Sequence, residues 1–512
     1  MGQRFDVVIV GSGAGGGTLA LRLAPSGKRA LLVERGGFLP RERENWDPAE
    51  VIGKARYRAR IRYLDAAGEP FEPFAHHWVG GATKMYGAAL LRLRESDFGA
   101  VRHHDGISPA WPLGYADFEP YYTEAERIYS VHGQRREDPC EPFASAPFPH
   151  PPLPHEPRIA RLAEDFRANG LRPFPLPLGV RLPDGRGSSP VTLSLFDGFP
   201  DPTGTKADAQ VCAVEPALRH DNVTLMKDAL AERLVTDASG REVVALEVRR
   251  RLPDGSEATE RIEGDVFVVA CGAIESAALL LRSRSDAHPN GLGNRNGLVG
   301  RGYMAHQNGA LLWVSRGTRN DSQLQKTLAM TDWYLRGPGS ELPCGIVQLM
   351  GRSDPSDLRP LMPGVTDAGR SVEDVAAHTV DFWLTAEDLP DDDNRVSITR
   401  DGSVQVTYRR NNAEAYRRLR AALFEVLSRI EPDSQFLGYE LGVGGVSHQN
   451  GTLRFGHDPD ASVLDPFCRS HEVHNLYACD ASFFPSCGAV NPSLTIMANA
   501  LRVGDHLVER LG

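Results

Sequence analysis

The apolar positions of this chain come in short continuous runs, and glycine repeatedly marks where they stop. Residues 5–10 are one such run and lead directly into Gly11-Ser12-Gly13-Ala14-Gly15-Gly16. Residues 29–33 are a second and end at Glu34. Runs this short, without alternation, predict strands buried on both faces. Residues 18–23 between them have helical spacing. A similar unit is predicted at 263–281: a strand over 263–270, the turn Cys271-Gly272-Ala273, then a helix. Strands are also predicted at about 222–226, 230–236 and 242–250, joined by turns at Ser239-Gly240 and Pro253-Asp254-Gly255. Further strand signals are "ALLWVS" and "RVSITRDGSVQVTYRR", with a helix predicted over 413–430. Residues 139–158 are proline-rich and predict an extended connector. Near the end, "CGAVNPSLTIMANAL" (487–501) places Pro492 as the first residue of a helix and Asn491 at its mouth. A buried amide there needs partners, and the position aims it at something outside the chain.

Composition narrows the function classes. The formal net charge is -10 and no Lys/Arg block occurs, so nucleic acid is not an expected partner. Seven cysteines with no C-x-x-C spacing argue against a disulfide framework or a metal site and for a reducing, cytoplasmic setting. The most apolar stretch, 266–281, contains Glu275 and is too short and polar for a membrane span. The run Asp391-Asp392-Asp393 lacks the spacing of a calcium loop and reads as a solvated turn.

The first unit carries specific chemistry. Gly11, Gly13 and Gly16 form G-x-G-x-x-G between a strand and a helix, with Ser12 and Ala14 inside the turn. Gly11 permits the turn, Gly13 lets a pyrophosphate approach the backbone, and Gly16 lets the helix pack on the strand. Glu34, at the end of the second strand, suits the hydroxyls of an adenosine ribose and repels a 2'-phosphate. A second glycine loop, "HHWVGGATKMYGAALLRLRESDF" (76–98), offers Gly80 and Gly81 for close backbone approach, followed by the small residues Gly87, Ala88 and Ala89.

These blocks, together with "GLVGRGYMAH" (297–306), "SHQNGTLRFG" (447–456) and "LYACDASFFPSCGAVNPSLTIMANALRVGDHL" (476–507), resemble the glucose–methanol–choline (GMC) flavoprotein oxidoreductases in order and spacing across nearly the whole chain. The resemblance implies an α/β fold, α+β overall: a Rossmann-like FAD-binding domain (1–95, 206–300 and 441–512) and a second sheet-plus-helix substrate-binding domain (96–205 and 301–440). It implies that His448 is the base and that Asn491 shares the substrate oxygen. Asp480, Ala481, Gly272, Pro492 and Thr495 fall where the family borders FAD, and Ala231 where a backbone group meets adenine. The terminal block is similar to that of pyranose oxidases and glycoside oxidoreductases. Fungal pyranose oxidases link FAD to a histidine, and the matching residue here is Met85, so FAD is expected to be non-covalent. His76 and His77 are out of register for that bond. His306, His457, His471 and His474 are read as structural. The expected substrate is a pyranose or glycoside oxidised at a secondary hydroxyl, with O2 or a quinone-like acceptor and an open oligomeric state. The alternatives are a non-sugar alcohol (primary, choline-like or aminocyclitol) or a non-redox hydroxynitrile-lyase reaction.

Overall fold

The structure, a computed structural model, describes residues 4–182, 196–252, 254–359, 361 and 369–512. The first apolar runs form β1 (Arg4–Val10) and β2 (Ala30–Val33), with α1 (Ala14–Leu23) between them. The two strands pair in parallel, Val7 opposite Ala30 and Val10 opposite Val33. Helix α1 starts at 14 rather than at the expected 18. Gly15–Gly17 carry no side chains, so periodicity has nothing to mark there, yet all three are buried in the helix.

Helix α2 (Tyr115–Ile128) precedes four more strands of this first sheet: β3 (Val223–Met226), β4 (Ala229–Thr236), β5 (Val243–Arg251) and β6 (Glu257–Val269). Their order is β3-β2-β1-β6-β5-β4. The turn residue Pro253 lies outside the described residues. Strand β6 starts six residues before the predicted 263 and reads differently along its length. Its first half alternates exposed and half-buried positions, whereas its last four residues are all buried. The first half pairs antiparallel with β5, and the second pairs parallel with β1. The polar alternation of 257–262, which includes Glu257, Glu260 and Arg261, belongs to a hairpin with a solvated face, so no continuous apolar run marked it. Helix α3 (Ala273–Arg282) follows the strand.

The second sheet contains β7 (Gln307–Val314), β8 (Leu328–Met330), β9 (Ile346–Leu349), β10 (Thr379–Ala386) and, after α4 (Ala413–Ile430), β11 (Gln435–Glu440). The order is β11-β7-β10-β9-β8, with Phe174–Pro175 added at the β8 edge. All pairings are antiparallel. Side chains alternate between its two faces. Leu311, Trp313, Val380, Phe382 and Leu384 share a core with Leu419, Leu423 and Val426 of α4. Leu312, Trp383 and Tyr439, each one position out of phase, line a cavity on the other face. A smaller sheet interlocks distant segments: Tyr63–Leu64 pairs with the strand Val404–Thr407.

The chain then returns to the first sheet as β12 (Leu476–Ala478), parallel to β6, and ends in α5 (Ser493–Leu511). Pro492 caps this helix rather than opening it. Its carbonyl accepts the Ile496 N–H at 3.1 Å, the first bond of the helix. Helix α5 packs on α1 and α2, and Arg22 of α1 pairs with Asp505.

The turn after β1 is closed in on three sides. A Cβ on Gly11 (φ +105°) would lie 2.2 Å from the Ala270 carbonyl oxygen, and one on Gly16 would lie 2.0 Å from the Gly11 oxygen. A Cβ on Gly15 would meet the Cys479 oxygen at 1.6 Å, beyond the end of β12. Gly15→Ala must therefore push α1 off the sheet, at a cost on the order of 1–3 kcal/mol or more. Its thermal unfolding midpoint should fall by several degrees, whereas Gly442→Ala, where a Cβ meets nothing within 4 Å, should leave it unchanged.

Candidate active site

A cavity of about 860 Å³ lies against both sheets. On the first-sheet side its wall holds Gly11, Ser12, Gly13 and Ala14, with Glu34, Ala231 and Gly272 around them and Asp480 and Ala481 following β12. The second glycine loop contributes Gly81, Met85, Gly87 and Ala88, and the C-terminal region contributes His448, Asn491 and Pro492. Three residues singled out in the sequence lie off the wall. Gly16 is packed against Gly11. Gly80 (φ +98°) gives its N–H to the Ser12 hydroxyl at 3.2 Å. Thr495 is 2.8 Å from the Tyr122 hydroxyl, so it ties α5 to α2.

The acidic residues of the wall are held by donors. The Glu34 carboxylate accepts the Ser12 N–H at 3.1 Å, the Ser12 hydroxyl at 2.6 Å and the Gly36 N–H at 3.0 Å. Burial pushes its pKa up, and these three bonds oppose that push. Both Ser12 bonds fall on Oε2 and the Gly36 bond on Oε1, so acceptor capacity for a hydroxyl of a bound molecule remains on Oε1. Asp480 accepts from the Gly272 N–H (2.9 Å), the Ser276 hydroxyl (2.5 Å) and the Ser482 N–H (2.8 Å), which joins the start of α3 to the end of β12. Between these acids the wall is bare backbone at the N-terminus of α1, where N–H groups and the helix dipole favour phosphate. Ala231 lies at a β-bulge of β4. An acid for a ribose, an uncluttered helix mouth for a pyrophosphate and a wide apolar continuation fit a flavin adenine dinucleotide. His76 and His77 also line the cavity, and burial depresses their pKa values to about 4 and about 3.

His448 and Asn491 are brought together, with Asn491 Nδ2 3.5 Å from His448 Nε2. Two residues not assigned from sequence hold them. His306, at the start of β7 and in a left-handed conformation (φ 56°), places its Nδ1 3.0 Å from His448 Nδ1, with the rings at 90°. Its Nε2 is 3.3 Å from the Cys487 carbonyl oxygen. A carbonyl only accepts, so the proton of a neutral His306 sits on Nε2 and its Nδ1 accepts from His448 Nδ1–H. His448 Nε2 is then the unprotonated nitrogen, with its lone pair beside Asn491 Nδ2 on the cavity wall. On the other side, Gln348 of β9 donates from Nε2 to Asn491 Oδ1 at 3.0 Å. That bond turns the Asn491 N–H groups toward His448. The signal for His306 was present in sequence, since it closes the block "GLVGRGYMAH". Gln348 had no comparable marker.

The arrangement can take a proton from a hydroxyl at one nitrogen and donate a hydrogen bond to the same oxygen from an amide. His448 is suited to the first task. Burial, followed by the charges of His306 and Lys326, holds its pKa well below 6.5, so the imidazole is neutral. Burial lowers His306 to about 4.

Two stretches match family models described as GMC oxidoreductase, residues 73–308 and 346–500. Such a match, on a fold and cavity of this kind, defines an oxidoreductase acting on CH–OH groups. Relatives align over almost the full length. They include 6'''-hydroxyparomomycin C oxidase of Streptomyces lividus (34% identical, covering 99% of this chain and 92% of that protein) and paromamine 6'-oxidase of Streptomyces fradiae (33%, with the same shares). Fructose dehydrogenase large subunit of Gluconobacter japonicus is 25% identical over 99% of this chain and 98% of its own. The solved pyridoxine 4-oxidase from Mesorbium loti superposes with a TM-score of 0.67 at 20% identity, covering 98% of this chain and 99% of that one, which bears on fold alone. The chain belongs to the GMC oxidoreductase family. Among the described residues no helix is long and apolar enough to cross a membrane.

The neutral histidine pair makes a pH prediction. Both folded pKa values lie below the unfolded value of 6.5, so the unfolded chain binds the extra protons. Their stabilising contribution is complete above pH 6.5 and is lost as pH falls, for His306 down through about 4. In histidine-labelled protein, 15N chemical shifts should show His448 neutral and protonated at Nδ1 at pH 6. Titration of His448 at the ordinary imidazole value would contradict the assignment.

Proposed function

We propose that this chain binds FAD without a covalent bond and oxidises a hydroxyl group of a pyranose sugar or glycoside, with His448 as the base. The observation that carries the reading is the His448 Nε2 lone pair beside the Asn491 N–H, in the same cavity as the dinucleotide turn. Residues 1–95, 206–300 and 441–512 would hold the cofactor, and 96–205 and 301–440 would cover the substrate. When bound, the flavin supplies the hydride-accepting chemistry. His448 Nε2 takes the hydroxyl proton, and its neutral resting state suits that role. Asn491 Nδ2–H donates to the same oxygen as negative charge develops, and Gln348 keeps the amide turned that way. His306 keeps the His448 proton on Nδ1, leaving Nε2 to act. Pro492 and the mouth of α5 border the same space, and their dipole favours negative charge there.

Support for a sugar comes from the relatives, two named for paromomycin-type compounds and one for fructose. The pairing of His448 with Asn491-Pro492, as in pyranose oxidases, favours a secondary ring hydroxyl. A relative named for a 6' position favours a second reading, an exocyclic hydroxymethyl group. An NMR spectrum of the product separates the two, since one gives a ring ketone and the other an aldehyde.

Met85 stands on the cavity wall at the family's linking position and cannot form that bond. Acid precipitation should release all of the yellow colour into the supernatant, and flavin left in the pellet would refute non-covalent binding. Anaerobic addition of a sugar should bleach the flavin. His448→Ala should keep its FAD but reduce it about 10²–10⁴-fold more slowly, as a general base and its positioning are lost together. Asn491→Ala should lose about 10²–10³, like a missing oxyanion donor. Equal reduction rates in wild type and His448→Ala would remove the base from the scheme.

A further inference from the structure

A charged pair shares the cavity wall with His448 and Asn491. Lys326 Nζ lies 2.5 Å from Asp197 Oδ2, in residues 129 positions apart. The lysine side chain is 6% exposed and the aspartate 21%. A buried ion pair is weak evidence for stability, because desolvation offsets most of the attraction. Its unused valences are more informative. An ammonium has three N–H donors. Among the described residues, Asp197 is the only hydrogen-bond partner of Lys326 Nζ, so two donors remain in a nearly dry setting. Asp197 Oδ2 also accepts the Gly351 N–H at 3.3 Å, whereas its Oδ1 has no such partner among the described residues. Neighbouring lysine and backbone charge keep the carboxylate ionised, with its pKa below the ordinary value despite burial.

Gly87 lets the pair pack directly against its backbone. A Cβ there would lie 2.3 Å from Asp197 Oδ1 and 2.6 Å from Lys326 Nζ. Any other residue at 87 would displace the pair, and with glycine there Asp197 and Lys326 both line the cavity. The charge of Lys326 also reaches His448, whose basicity it lowers.

We propose that Lys326 and Asp197 form a substrate subsite that reads a second hydroxyl, next to the one being oxidised, and rejects an ammonium at that position. A hydroxyl both accepts and donates, so it can take an N–H from Lys326 and give its proton to Asp197 Oδ1. An alcohol without the neighbour leaves the spare Lys326 N–H groups and Asp197 Oδ1 desolvated and without a new partner. An ammonium satisfies Asp197 but is set against Lys326, with Arg352 as a further cation on the same wall. The inference rests on the alcohol-oxidation reading and adds a substrate class to it: an uncharged vicinal polyol.

The test uses matched probes and anaerobic flavin reduction. Cyclohexanol, trans-1,2-cyclohexanediol and trans-2-aminocyclohexanol form a secondary set. 1-Propanol, 1,2-propanediol and 2-amino-1-propanol form a primary one. In the wild type, the diol should exceed the monoalcohol by about tenfold or more in second-order rate constant, the worth of a hydrogen bond to a charged group. The amino alcohol should fall below both. Lys326→Met should lose the diol preference and let the amino alcohol overtake, because Asp197 is then an unpaired carboxylate. If that variant does not fold, as judged by FAD content and thermal midpoint, the neutral double variant Asp197→Asn/Lys326→Met replaces it and should treat all three probes alike. Unchanged ratios in the variant used overturn the subsite. So does a variant whose FAD affinity drops while the ratios hold, which would assign the pair to the cofactor. If no probe and no sugar bleaches bound flavin, the oxidation reading itself fails, and the subsite falls with it.

Discussion

Around Gly11–Gly16 the chain has almost no room for side chains, and the architecture is organised around that restriction. The turn is pressed between the end of β6 and the end of β12, with carbonyl oxygens standing where Cβ atoms of residues 11, 15 and 16 would go. Contact this close requires parallel strands on both sides of β6, so the sheet must draw on segments from the start, middle and end of the sequence. It also produces a cavity wall made of backbone, with N–H groups at a helix mouth and two buried acids flanking them. A wall of that kind suits phosphates and does little to distinguish alcohols.

Selectivity must come from the opposite wall, where side chains alternate off the second sheet. There the polar groups are arranged by direction. Cys487, His306, His448, Asn491 and Gln348 form one series of hydrogen bonds in which each partner's role follows from its neighbour's. Because the carbonyl at one end can only accept, Nε2 is fixed as the unprotonated nitrogen of His448 without any nearby carboxylate. A carboxylate would have raised the imidazole's basicity. Burial and two neighbouring bases keep it low instead.

Much of this could be read from the sequence. Continuous apolar runs located β1, β2 and the inner half of β6, and helical spacing located α4 to the residue. The glycine turn and Glu34 stand out by their strand–turn–helix setting, whereas the roles of His448 and Asn491 come from the resemblance of their blocks to the GMC family. The start of α1 was hidden because glycines carry no hydrophobic signal, and the outer half of β6 because its solvated face reads as polar loop. His306 and His448 are 142 positions apart, and Lys326 and Asp197 are 129 apart. Neither pair has a local pattern, since only tertiary packing creates them.

The path of β6 has a consequence for how the molecule is made. Its last residues bond to β1, whose residues are among the first to be synthesised, and to β12, whose residues are among the last. Strand β1 can pair early with β2, but its other edge stays open until residue 263 has emerged. The edge of β6 in turn waits for residue 476. Sheets closed by such distant segments fold slowly, because loop entropy is lost before the contacts repay it. On the ribosome, a nascent chain therefore presents an apolar parallel strand with one uncovered edge for most of translation, the state in which chains aggregate. Chaperone demand during synthesis, rather than final stability, is the quantity this topology governs.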